Sequence, residues 1–276
     1  MTRPELDEVV SWAAAEGWNP GLQDAGCFYA ADPTGFLIGI LDDQPMAAIS
    51  AVKYGTSFGF IGFYIVKPEF RGQGYGWKIW QAGMAALADR NVGLDGVIAQ
   101  QANYLKSGFE LAYRNIRYEG HAAEQTTEIA SPEGLTPLAS LSFETVCDYD
   151  RRFFPTAREQ FLRCWLSRPG HIGWAKVSDS ELLGYGVLRP CQSGYKIGPL
   201  FAETAESAEE IFLGLRSHLV PQTPFYLDTP EANPAAVALA EKYNMHRVFE
   251  TARMYTTSSP DLPLNKIFGV TTFELG

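Results

Sequence analysis

Phe60-Ile-Gly-Phe-Tyr-Ile-Val-Lys-Pro-Glu-Phe-Arg-Gly-Gln-Gly-Tyr-Gly-Trp-Lys-Ile-Trp80 holds three kinds of local structure in one short run. Phe60 to Val66 is apolar throughout and reads as a buried strand. Pro68 ends it, because proline has no N–H to donate to a sheet ladder. Arg71 to Gly76 is a glycine-rich loop, and the run behind it predicts a helix with Trp77, Trp80, Met84 and Leu87 on one face. Strand, glycine loop and helix together suit a phosphate. Gly72, Gly74 and Gly76 allow close backbone approach, and the amides that open the helix point at the anion.

Spacing narrows the ligand. A dinucleotide fingerprint needs G-x-G-x-x-G, whereas these glycines alternate. A P-loop needs Lys-Ser/Thr after its last glycine, whereas Trp77-Lys78-Ile79 follows here. The stretch resembles the pyrophosphate loop of the GNAT superfamily, the acyl-CoA-dependent N-acetyltransferases. Arg71-Gly72-Gln73-Gly74-Tyr75-Gly76 matches (Gln/Arg)-x-x-Gly-x-(Gly/Ala), and Val66-Lys67-Pro68 matches the Val-x-Pro that leads into it. The resemblance implies an α/β (α+β) GNAT fold, a mixed and mostly antiparallel sheet flanked by helices.

Composition sets bounds. The 276 residues suffice for one large or two ordinary domains, and 46% hydrophobic content supports a substantial core. The net charge is −10 without any basic run, which argues against a nucleic-acid partner. No apolar run approaches the ~20 residues of a membrane span, and the acidic N-terminus lacks a signal peptide's apolar stretch. Cys27, Cys147, Cys164 and Cys191 show no C-x-x-C spacing and the four histidines are scattered. The expectation is four reduced thiols in a cytoplasmic protein, monomer or homodimer, with no metal site.

Thr2-Arg-Pro-Glu5 predicts a capping box opening a helix that carries Val9, Val10, Trp12 and Ala13 inward and ends near Gly17. Gly35–Leu41 and Met46–Tyr54 predict a hairpin that feeds the central strand. Gly93–Ala99, a short helix at Gln101–Ser107 and a strand over Phe109–Tyr118 complete the GNAT order. The Trp12-Ala13 through Gly21 segment resembles a bacterial GNAT subgroup in which a second GNAT-like domain follows. The implied division is 1–122, a linker at 123–137, and 138–276. The second part repeats the element order: helical sequence over Ser140–Gly170, restarted by a capping box at Thr156–Glu159, then a hairpin, a strand over Tyr195–Phe201 and a helix over Ala205–Leu219. A short strand at Phe225–Asp228 and a helix to Tyr243 follow. Gly108–Arg117 and Asn244–Arg253 correspond at one fixed offset. The second copy has Ala202-Glu-Thr-Ala-Glu-Ser207 where the glycine loop should be. It is expected to bind no coenzyme and to shape the acceptor pocket or cover an edge of the first.

The resemblance assigns acetyl-CoA as co-substrate. Its pantetheine arm would lie along Phe63, Tyr64, Ile65 and Val66, and its pyrophosphate on Arg71 to Gly76 with Trp77 beside it. Tyr104, four residues before Gly108-Phe109, would protonate the leaving thiolate, and Asn103 would touch the pantetheine. A phenol of pKa ~10 suits a thiolate whose conjugate acid titrates near ~8.5. Glu16 is a candidate base, and Trp18 and Asp24 are candidate acceptor residues. Asp148, Asp150 and Arg253 are further candidates for acceptor chemistry. The implied reaction is acetyl transfer to the primary amine of a small molecule by direct attack in a ternary complex. The alternatives are a protein or peptide amine, or a non-catalytic acyl-CoA-binding regulatory protein.

Overall fold

The structure, a computed structural model, describes residues 1–122 and 134–276. Residues 123–133, most of the expected linker, lie outside the described residues. Helix α1 (Arg3–Ala15) opens with the Thr2–Glu5 capping box, and α2 (Asp24–Ala31) follows. Strands β1 (Phe36–Leu41), β2 (Gln44–Tyr54) and β3 (Phe58–Val66) form a meander. Helix α3 (Tyr75–Ala86), β4 (Asn91–Val97), α4 (Gln101–Lys106) and β5 (Glu110–His121) close the first half.

The second half runs β6 (Thr136–Pro137), α5 (Phe143–Asp150), α6 (Glu159–Ser167), β7 (Ile172–Ser178), β8 (Glu181–Pro190) and β9 (Tyr195–Ala202). Next come α7 (Ala205–Arg216), β10 (Pro224–Pro230), α8 (Pro234–Lys242), β11 (His246–Tyr255) and the short β12 (Ile267–Gly269).

Among the described residues these twelve strands form one sheet in the order β1-β2-β3-β4-β11-β5-β10-β9-β8-β7-β6, with β12 on β9. Only β3·β4 and β9·β10 are parallel. The expected division at 123–137 follows the chain, whereas the sheet crosses it. Strand β11 of the second half lies between β4 and β5 of the first, and β5 lies against β10. The offset that aligns the two strand ends reappears as a pseudo-two-fold: Arg117 stands opposite Phe249, and its counterpart Arg253 opposite Tyr113, the counterpart of Phe249.

Each of these arginines reaches across to an aspartate of the other half. Arg117 binds Asp228 of β10 through two bonds of 2.7 Å, and Arg253 binds Asp95 of β4 at 3.0 and 2.6 Å. Both pairs are almost wholly buried. Burial alone pushes the Asp228 carboxyl up. Arg117 beside it outweighs that and holds the group below the usual carboxylate range.

One apolar core runs through both halves on one face of the sheet. It joins Val9 and Phe28 to Phe161, Trp165 and Phe201. On the other face Trp80 of α3 packs with Leu94 and Phe109, and Phe212 and Leu215 of α7 pack with Leu239 of α8 over Leu200 and Leu227. Alternation along β2 sends Ala48 and Val52 to the shared core and Ala47, Ile49 and Ala51 to the α3 side.

Three local expectations change. Helix α2 occupies a stretch the sequence reading passes over. The inner arc of α3 is Ile79, Trp80 and Gly83; Trp77 lies more than half a turn from Ile79 at 3.6 residues per turn and is 57% exposed. The Thr156–Glu159 capping box does not form. Helix α6 has Arg158 at its N-cap without a side-chain bond, because that guanidinium is drawn into the core by Asp150 at 2.7 and 2.8 Å.

Removing one member of a buried pair strands the other charge, which typically costs about 3–5 kcal/mol. Arg117→Ala is therefore expected to lower stability by about that much in urea denaturation. The double change Arg117→Met, Asp228→Leu should cost clearly less than Arg117→Ala alone, since it leaves neither member of the pair as a lone buried charge.

Candidate active site

Strands β3 and β4 pair in parallel only from Phe58↔Asn91 to Ile61↔Leu94, then part. The cause is local. Phe63 takes a left-handed φ of 45°, and the β2·β3 register shifts beside it, so β3 bulges away from its neighbour. A cavity of about 470 Å³ fills the gap, lined by Gly62–Val66 on one side and Leu94–Val97 on the other.

The glycine loop stands at one end of this cavity. Gly72 and Gly74 have φ of 75° and 82°, and a Cβ at either would meet no atom within 4 Å, so both face open space. Gly74 is the N-cap of α3 and supplies no side-chain cap, which leaves the helix's first amides open to an anion. Arg71 is not free. Its Nε donates to the Val66 carbonyl at 2.8 Å, and its guanidinium pairs with Glu16 at the end of α1. It fastens the loop to β3 and α1. Gln73 donates to the Glu69 carbonyl at 3.0 Å, and Tyr75 packs edge-on against Phe70.

Tyr104 borders the cavity from α4, and its ring lies against Gly96, where a Cβ would come within 2.2 Å of it. Trp80 packs beside that ring at 5.5 Å and beside Tyr64 at 5.3 Å. Burial, with Tyr64 second, holds the Tyr104 phenol above its ordinary pKa, so it stays protonated at neutral pH.

The aromatic lining of the cavity comes from both halves. Trp18 and Phe63 from the first half meet Phe249 and Phe273 from the second. Arg117 also borders the cavity, and its Nη1 donates to the Trp18 carbonyl at 2.7 Å while it holds Asp228. Asp95 is held by Arg253 and by Asn115 at 2.8 Å. Residues 267–276, for which the sequence reading assigns no element, are buried throughout and bring Phe273 and Glu274 to the cavity.

The sequence candidates therefore divide. Phe63, Tyr64, Ile65, Val66, Arg71, Gly72, Gly76, Tyr104, Glu16 and Trp18 all line the cavity, and Gln73, Gly74 and Tyr75 belong to the loop at its rim. Asp24 does not line it: the side chain is fully buried, accepting from the Gly21 amide at 2.9 Å and from Arg189 of the second half at 3.1 Å. Asn103 is exposed and donates to Gln100, and it is Gln100 that lines the gap. Arg253 serves Asp95, and Asp150 serves Arg158. Asp95 and Glu274 were legible as lone acids within apolar runs, Gly93-Leu-Asp-Gly-Val and Phe273-Glu-Leu.

Residues 3–109 match a family model described as the acetyltransferase (GNAT) family, and residues 146–269 one described as an acetyltransferase (GNAT) domain. The chain is 30% identical over 272 residues to a Pseudoalteromonas sp. (strain SANK 73390) protein called Holothin acyltransferase, covering 99% of this chain and 92% of that one. Its fold matches a crystal structure from Pyrococcus horikoshii with a TM-score of 0.81 at 21% identity, covering 100% and 94% of the two chains. It also matches a tandem GNAT protein from the clavulanic acid biosynthesis pathway with a TM-score of 0.64 at 12% identity, covering 94% and 98%.

Gly62 sets how closely the tail packs on β3, since a Cβ there would come within 2.0 Å of the Glu274 carbonyl oxygen. That neighbour is backbone and cannot swing aside. Gly62→Ala is expected to cost about 1–3 kcal/mol, the usual penalty for overpacking, measured by urea denaturation.

Proposed function

The chain belongs to the GNAT acyltransferase family and carries two GNAT units in tandem, and from that premise we propose that it moves an acetyl group from acetyl-CoA to the amine of a small molecule. One observation carries this reading: the cavity between β3 and β4 is lined both by the glycine loop that leads into the uncapped N-terminus of α3 and by aromatic rings of both halves. A single ligand can thus rest its phosphates on the loop and present its acyl end to the rings.

In this reading the amides of the Gly72–Gly76 loop and the first turn of α3 hold the pyrophosphate. The edge of Phe63–Val66, unpaired towards β4, takes the peptide-like arm by strand addition. The co-substrate brings an already activated thioester, so positioning and electrostatics supply much of the rate. Tyr104 gives its phenolic proton to the departing thiolate, a role that its place on the cavity wall supports; its raised pKa keeps the proton on the phenol until the sulfur departs. Glu16 is a poor base because Arg71 holds it.

The acceptor reading rests on size and lining. A cavity of about 470 Å³ lies within the ordinary range of small-molecule sites, and Trp18, Phe63, Phe249 and Phe273 favour a compact, partly apolar amine over a peptide chain. The relative called Holothin acyltransferase is in keeping with this. Four unpaired cysteines, three of them buried, support a reducing, cytoplasmic setting.

Among the described residues only one of the two gaps between parallel strands suits a coenzyme. In the second half β9 and β10 also run parallel, but β12 pairs with β9 there, and the Val270 amide donates to the Asp228 carbonyl of β10 at 2.8 Å. Thr204 caps α7 with its own hydroxyl at 3.2 Å, and Glu206 stands in that helix's first turn. Both features oppose a phosphate.

Calorimetric titration of acetyl-CoA is the direct test. Wild type should bind, and Gly74→Glu, which puts a carboxylate into the open loop, should stay folded and lose binding. A wild type that binds no acyl-CoA overturns the reading. With binding established, Tyr104→Phe should lower kcat about 10²-fold in a thiol-release assay when chemistry is rate-limiting. An unchanged kcat would remove Tyr104 from the mechanism.

A further inference from the structure

Among the described residues three carboxylates border the cavity, and two of them are already engaged. Glu16 is paired with Arg71, and Asp95 is clamped by Arg253 and Asn115. Glu274 is different. It is 4% exposed, it lines the cavity, and its carboxylate has neither a hydrogen bond nor an ion pair among the described residues. An ionised carboxylate seldom stays buried without a partner. One that faces a cavity instead of packed side chains is placed to meet a ligand.

The tail that carries Glu274 is fixed on both sides of it. Upstream, Val270 is bonded to β10, and the Thr271 hydroxyl accepts from Arg158 at 3.0 Å. Downstream, the Leu275 amide donates to the Thr272 hydroxyl at 3.0 Å, and Tyr54 donates to the Leu275 carbonyl at 3.1 Å. The carbonyl of Glu274 itself lies over Gly62, one residue before the Phe63–Val66 edge. The tail at Glu274 is therefore held next to the strand that would carry the thioester, and Glu274 lines the same cavity.

We propose that Glu274 is the general base: it takes a proton from the ammonium group of the acceptor before attack. This rests on the acetyltransferase reading and adds the residue that makes the amine nucleophilic. An N–H bond of the ammonium breaks, and its proton passes to a Glu274 oxygen, directly or through one water. The freed lone pair forms the C–N bond at the acetyl carbon, the C–S bond breaks, and the sulfur takes the Tyr104 proton. The second proton of the attacking nitrogen leaves through solvent and restores the phenol, and Glu274 returns its own to solvent.

The surroundings tune this carboxyl. Burial raises its pKa above the ordinary glutamate value, with Asp24 of α2 adding to the shift. Lys196 of β9, Arg117 of β5 and Arg189 of β8 oppose it. Those cations have other partners: Arg117 holds Asp228, Arg189 holds Asp24, and Lys196 donates to the Trp18 carbonyl at 3.3 Å while burial, with Arg117, lowers its pKa to about 8. A carboxyl whose pKa is raised accepts a proton more readily than an ordinary glutamate.

The experiment compares wild type and Glu274→Gln for acetyl-CoA binding, thermal unfolding, and thiol release with phenethylamine, which is protonated at pH 7, and with aniline, which is not. The variant should bind acetyl-CoA as wild type does. It should unfold no earlier at neutral pH, because the wild type loses stability as pH rises through the raised pKa of Glu274 and the amide does not ionise. For phenethylamine its kcat/KM should fall about 10²-fold and lose the acidic limb of the pH profile that wild type shows. For aniline the fall should be far smaller. Equal losses for both amines, no loss for phenethylamine, or a coenzyme-binding wild type that acetylates neither amine would overturn the assignment. Failure of wild type to bind acetyl-CoA would instead strike the acetyltransferase reading beneath it.

Discussion

Two buried arginine–aspartate pairs, each joining a strand of one half to a strand of the other, hold this sheet in register. Arg117 of β5 finds Asp228 on β10, and Arg253 of β11 finds Asp95 on β4. A buried ion left alone costs several kcal/mol, so these side chains admit few alternative partners. Any one-residue slip of β5 or β11 would also turn each arginine to the wrong face. The exchange leaves neither half with a complete sheet of its own, and it gives both halves one continuous core.

The same pairs build the cavity. Asp95 and Arg117 line it, and each is immobilised by a partner from the opposite half. Arg117 further holds the Trp18 carbonyl, which ties the turn after α1 to the cavity wall. The aromatic part of the cavity is therefore lined by both halves, whereas the glycine loop belongs to the first half alone.

Each half has one pair of parallel strands, β3·β4 and β9·β10, and the tail treats the two differently. In the second half it enters as β12 and closes the space beside β9. It then continues across to the first half, where Phe273 and Glu274 reach the open cavity. One segment thus closes the second gap and furnishes the first with a carboxylate. The loops follow the same division: Gly74 leaves the start of α3 uncapped, and Thr204 caps α7.

Features written in short-range chemistry could be read from the chain. Proline, alternating glycines and apolar periodicity act over a few residues, and they identified the β3–loop–α3 unit, the capping box at Thr2, the element order of both halves and the wall formed by Phe63 to Val66, Arg71 and Tyr104. Trp77 was misjudged because periodicity shows that a helix has an inner face without fixing where its arc begins. Asp24 and Glu16 were misjudged because their partners, Arg189 and Arg71, lie far away in sequence. Strand exchange, the buried route of residues 267–276 and the unpaired Glu274 all depend on which distant backbones pair. Local propensity carries no information about that choice. It is made when long-range strand pairing and charge burial are satisfied together, and only the tertiary structure records it.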